Sequence, residues 1–82
     1  MKKVYVIRSN HDGTLGVFTN KTLAFAKVLD YLGEEPMSLY EGKRVTYAKF
    51  CKEVKDYDYC SVDFCSADEE TLVYVEQCVL NR

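Results

Sequence analysis

The sequence predicts an α+β domain: a four-stranded, mainly antiparallel sheet with two helices packed on one face, in the chain order β-β-α-α-β-β. Three observations carry this reading. Hydrophobic alternation with a period of two marks both ends of the chain, from Val4 to Phe18 and from Tyr59 to Leu80. Between them, two apolar stripes repeat at the helical spacing i, i+3, i+4, i+7. The length of 82 residues accommodates one domain spanning 1–82, with no linker, repeat or low-complexity segment.

The first strand alternates, with Val4 and Val6 on one side and Tyr5 and Ile7 on the other, so both of its faces are expected to be partly covered. Asp12-Gly13 then signals a hairpin, because glycine tolerates the positive φ of a tight turn. In the second strand Leu15 and Val17 share a face, and Gly16 marks a bulge or a close backbone approach. Thr19 or Asn20 is placed to cap a helix whose stripe is Phe25, Val28, Leu29 and Leu32. Gly33 and Pro36 end it. Residues 34–45 read as either a small hairpin around Glu41-Gly42 or a loop. Thr46 then caps a second helix, with Tyr47, Phe50, Cys51 and Val54 as its stripe. From Tyr59 the period returns to two, with Cys60, Val62 and Phe64 opposite Ser61, Asp63 and Cys65. A polar turn, Ser66 to Glu70, leads to a last strand in which Leu72, Tyr74, Cys78 and Leu80 oppose Val73, Val75 and Val79. The last two strands, adjacent in sequence, are expected to pair.

Hydrophobic residues make up 48% and charged residues 29% of the chain, which fits a globular protein rather than a disordered one. No apolar run approaches the ~20 residues needed to cross a bilayer, and Met1-Lys2-Lys3 runs straight into a strand without a signal-peptide core. The expected location is therefore the cytoplasm, or the host cytoplasm for a phage-encoded chain. The net charge of −2 is unevenly spread: residues 1–52 carry nine Lys/Arg against five Asp/Glu, and residues 53–82 carry two against eight. Such asymmetry is either an electrostatic recognition surface or a solvated polar face.

Candidate chemistry is sparse. Cys51, Cys60, Cys65 and Cys78 form no Cys-x-x-Cys pair and no common zinc spacing, so free structural thiols are expected ahead of a disulfide or a metal site. His11 beside Asp12 lacks the third partner that would activate a nucleophile. No phosphate-cradling glycine loop or calcium-loop spacing is present, and no cofactor or metal is expected. The aromatic choice is skewed, with seven tyrosines and no tryptophan. Tyr40, Tyr47, Tyr57 and Tyr59 fall in the second half, the last two interleaved with Asp56 and Asp58. Exposed tyrosine beside charge is typical of protein-binding patches, while half-buried packing is the plainer reading. Nucleic-acid binding favours aromatics among Lys/Arg, and here the neighbours are acidic. The basic half (Lys2, Lys3, Arg8, Lys21, Lys27, Lys43, Arg44) keeps that alternative open.

Val4-Tyr5-Val6-Ile7, the Asp12-Gly13 turn, the run Leu15-Gly16-Val17-Phe18-Thr19-Asn20-Lys21 into a helix, and the final strand Val73 to Asn81 resemble a group of small phage and prophage ββα-type proteins. These share a "GVF-S/T-x-K" strand-to-helix motif and are largely without assigned activity. Residues 34–66 depart from the resemblance. It implies phage ancestry and, by analogy, action by binding and inhibiting a host protein.

The expected function is thus a non-enzymatic protein-binding module. It would inhibit a host defence or transcription component, as anti-CRISPR and other anti-defence proteins do. The expected contacts are Asp56, Tyr57, Asp58, Asp63, Glu69 and Glu70. The acidic half would occupy a basic, nucleic-acid-binding groove of its target. The alternatives are a nucleic-acid binder using the basic half, and a nucleotide-type small-ligand binder with a pocket between sheet and helices. No membrane partner is expected, and an unpaired strand edge offers a route to a homodimer.

Overall fold

A computed structural model of the chain describes residues 2–39, 41–56 and 61–80. Alternation at the two ends of the sequence generates the middle of the sheet. β1 (Lys2–Ser9) pairs antiparallel with β5 (Leu72–Leu80) along its whole length, from Lys2 opposite Leu80 to Ser9 opposite Val73. β2 (Gly13–Phe18) flanks β1, and β4 (Ser61–Cys65) flanks β5. The sheet therefore has five strands rather than the expected four, in the order β2-β1-β5-β4-β3.

The extra strand is β3, Met37–Ser38, which pairs with Cys65 and Phe64 of β4. It arises from the stretch left open as hairpin or loop, and it serves as both. The Ser38 amide donates to the Lys43 carbonyl at 2.8 Å and the Gly42 amide donates to the Ser38 carbonyl at 2.9 Å. Gly42 supplies the left-handed φ of 66° that the turn requires. Met37 also bridges Arg44. The chain order is consequently β-β-α-β-α-β-β. Two residues are too few to show an alternating pattern, which is why the sequence does not announce this strand.

The helices begin and end where the sequence signals. In α1 (Lys21–Leu32), Asn20 accepts the Leu23 amide at 2.8 Å, and Gly33 takes a left-handed φ of 73° while donating to the Leu29 carbonyl. α2 (Tyr47–Asp56) starts with Thr46, whose hydroxyl accepts the Lys49 amide and whose carbonyl accepts that of Phe50. Both helices bury their stripes against one sheet face. Tyr5 and Ile7 of β1, Val73 and Val75 of β5, and Val62 and Phe64 of β4 meet Ala24, Phe25 and Val28 of α1 and Phe50 and Val54 of α2 in one cluster. Phe50 stands between Phe25 and Phe64, with ring centroids 4.9 and 5.5 Å away. Tyr47, expected in the stripe, sits at its border: it is 43% exposed and shares a hydrogen bond with the Thr22 hydroxyl. The bulge expected at Gly16 falls beside it. The register slips between Ile7 and Arg8, leaving Leu15 as the extra residue of a bulge, and the Phe18 ring lies where a Gly16 side chain would stand.

Candidate interaction surface

The register divides each central strand between two environments. Val73, Val75 and the buried Gln77 of β5 face the helices, whereas Tyr74, Glu76 and Cys78 face away from them. On that second face the cross-strand rows read Asp63, Tyr74, Arg8 and Thr14, then Glu76, Val6 and Val17, then Cys78 and Val4. No helix covers these rows among the described residues. Val17 is 58% exposed at the outer strand, Val6, Tyr74 and Cys78 are half-buried, and Val4 is buried. Arg8 and Glu76 form an ion pair across the middle at 3.3 Å. The face thus combines apolar side chains with an aromatic and paired charge, a composition suited to protein contact. Burial, and then the neighbouring Glu76, pushes the Cys78 thiol up from its ordinary value, which keeps it protonated and a poor nucleophile.

Three turns meet at one end of the sheet. Asn10 accepts the Leu72 amide at 2.9 Å, and both Asn10 and the His11 ring bond the Glu70 carbonyl. Asp12 accepts the Tyr31 hydroxyl at 2.5 Å, and that hydroxyl also bonds Ser9. The adjacent His11 and Asp12 side chains are therefore committed to different elements, as clamps between turns. The bond to Asp12 is also what raises the Tyr31 phenol above its ordinary value. Glu34, just past α1, accepts the Ala67 amide at 3.0 Å and pairs with Arg44 at 3.1 Å. Its carboxyl is held below the usual range first by that amide and then by the guanidinium. Asp68 accepts the Ser66 hydroxyl and the Glu70 amide, which lower it likewise. Glu69 and Glu70 remain exposed at this end, and Glu69 adopts a left-handed φ of 63°.

The expected contact residues are distributed unevenly over this geometry. Asp63 lies on the helix-free face beside Tyr74, and Glu69 and Glu70 lie in the turn that follows, so these three do not form one face. Tyr57 and Asp58 fall outside the described residues, and Asp56 is described only as the last residue of α2. Val6, Val17, Tyr74 and Cys78 were not singled out from the sequence, although the alternation of the last strand had already separated Tyr74 and Cys78 from the core valines. In the basic half, Arg8, Arg44 and Lys49 are each engaged by a carboxylate, from Glu76, Glu34 and Glu41 respectively. Between sheet and helices, the rings of Phe25, Phe50 and Phe64 pack together. Cys51, Cys65 and Cys78 are free thiols; Cys60 falls outside the described residues. Among the described residues no three His, Cys, Asp or Glu side chains are placed to hold a metal, and no helix is long and apolar enough to cross a membrane. The chain matches no protein-family model, and neither a curated protein nor a solved structure is detectably similar to it.

Proposed function

We propose that this chain is a non-enzymatic protein-binding module of phage origin that inhibits a host protein, a defence or transcription component, by covering a basic surface on it. The observation that carries the reading is the helix-free sheet face, where Val17, Val6 and Tyr74 stand among Asp63, Glu76 and Arg8. Apolar side chains left at the surface among charges, here the exposed Val17 with the half-buried Val6 and Tyr74, fit an interaction site. Glu69 adds to it. A left-handed φ costs a residue with a side chain on the order of 1 kcal/mol, so a glutamate at this turn trades stability for an exposed carboxylate. Asp63 and the Glu69-Glu70 turn would supply the negative charge, and Tyr74 the central aromatic anchor.

The test is capture from host lysate with immobilised protein, in parallel with Tyr74→Ala and with Asp63→Lys, both checked for native circular dichroism. The expected outcome is one specific partner recovered by the wild type and lost with both variants. A partner captured equally by all three proteins removes the helix-free face from the mechanism. Recovery of nucleic acid, sensitive to salt, would instead favour the basic half.

A further inference from the structure

We propose that β2 is a self-pairing edge through which two copies of this chain associate antiparallel about a two-fold axis at Val17. Among the described residues β2 pairs only with β1, leaving its outer side as a sheet edge. Sheet edges are normally guarded by charge, proline, extreme shortness or a bulge. The opposite edge, β3, is two residues long. β2 has six residues, Gly13-Thr14-Leu15-Gly16-Val17-Phe18, with no charge and no proline. Its bulge lies at Leu15, on the hairpin side, which leaves Gly16-Val17-Phe18 as the regular run. The occupant that meets this strand without a charge clash is the same strand reversed. With Val17 opposite Val17 of the second copy, Gly16 and Phe18 fall opposite one another and no like charges are opposed.

Either alternation of the ladder satisfies this register. If Val17 points its amide and carbonyl outward, the two Val17 residues exchange bonds; if it does not, Gly16 and Phe18 do. On the helix-free side the pairing brings together the two exposed Val17 side chains. On the helix side it brings α1 of each copy toward the junction. Thr22 and Phe25 face α2, and at 100° per residue Leu23 falls on the other flank, where it is 51% exposed. A two-fold contact of this kind is isologous and closes at two subunits. The strand contact is short, below the roughly 1,200 Å² of a stable interface, so the association is weak and concentration-dependent, with Kd in the micromolar range or above (about 10⁻⁶–10⁻³ M).

The test is sedimentation equilibrium from about 1 μM to about 1 mM, a span that covers that range, joined to amide chemical shifts over the upper part of the series. The wild type is expected to pass from monomer to dimer with shift changes centred on Gly16–Phe18. Val17→Lys places two like charges on the axis and is expected to weaken the dimer about tenfold or more while the circular dichroism stays native. Thr14→Lys, outside the paired run, is expected to change it less than about threefold. A wild type that is monomeric throughout overturns the proposal. So does a Val17→Lys dimer as tight as the wild type, or a dimer whose shifts centre on Tyr74 or α2 instead of β2.

Discussion

The two sides of β5 carry the same strand into opposite duties. Val73 and Val75 are fully buried under two helices, while Tyr74, Glu76 and Cys78, one residue out of phase, face no helix. The difference teaches that burial on one side is sufficient to set the register of the strand. The other side is then free to vary in chemistry without threatening the fold. The covered and the helix-free side of this strand are separated by a single residue of phase, and the following measurements tell the two sides apart.

The largest effect is expected from Phe64→Ala. This side chain is fully buried between β4 and Phe50, and its loss should lower unfolding free energy by about 3–5 kcal/mol in denaturant titration. Tyr74→Ala, on the neighbouring strand but the uncovered side, should cost about 1 kcal/mol or less while abolishing partner capture. Equal losses from the two would break the comparison. Next in size, Asn20→Ala removes the acceptor for the Leu23 amide and should cost about 1 kcal/mol without touching the helix-free face, a pure loss on the covered side.

A smaller effect has the opposite sign. Glu69→Gly relieves the left-handed backbone and should raise stability by up to about 1 kcal/mol while weakening partner capture. Stability and binding moving in the same direction would refute the reading of that turn. The pH dependence sharpens the picture at the same end. Because Asp68 and Glu34 titrate below their ordinary values of 3.8 and 4.5, the stability they provide is complete above those values and lost as pH falls through the lower folded ones. Asp68→Asn and Glu34→Gln should each flatten the acid limb of a stability–pH profile. The raised Cys65 and Cys78 thiols act at the other limb: stability present below their ordinary 9.0 is lost as pH rises past it, and alkylation of both should lag that of a free cysteine.

Local chemistry was the legible part of the sequence. Asn20 and Gly33 bound α1 because capping and left-handed termination are decided by the residues themselves. Gly13 and Gly16 marked a turn and a bulge for the same reason. The fifth strand was not legible, since Met37–Ser38 becomes a strand only by meeting Cys65 and Phe64 far downstream. Neither was the strand order, which depends on β1 finding β5 rather than on any local signal. At the candidate surface, charge pointed to Asp63, Glu69 and Glu70, but the apolar companions Val6 and Val17 look in sequence like core valines. Only the register reveals which of them is left uncovered.

The lengthwise union of β1 with β5 has a consequence for synthesis. β1 finds its principal neighbour only when residues 72–80 have emerged from the ribosome, so the core cannot close before then. Until then Tyr5, Ile7 and the apolar stripe of α1 stay open to chaperones and proteases, and nascent chains stalled before β5 should not be native.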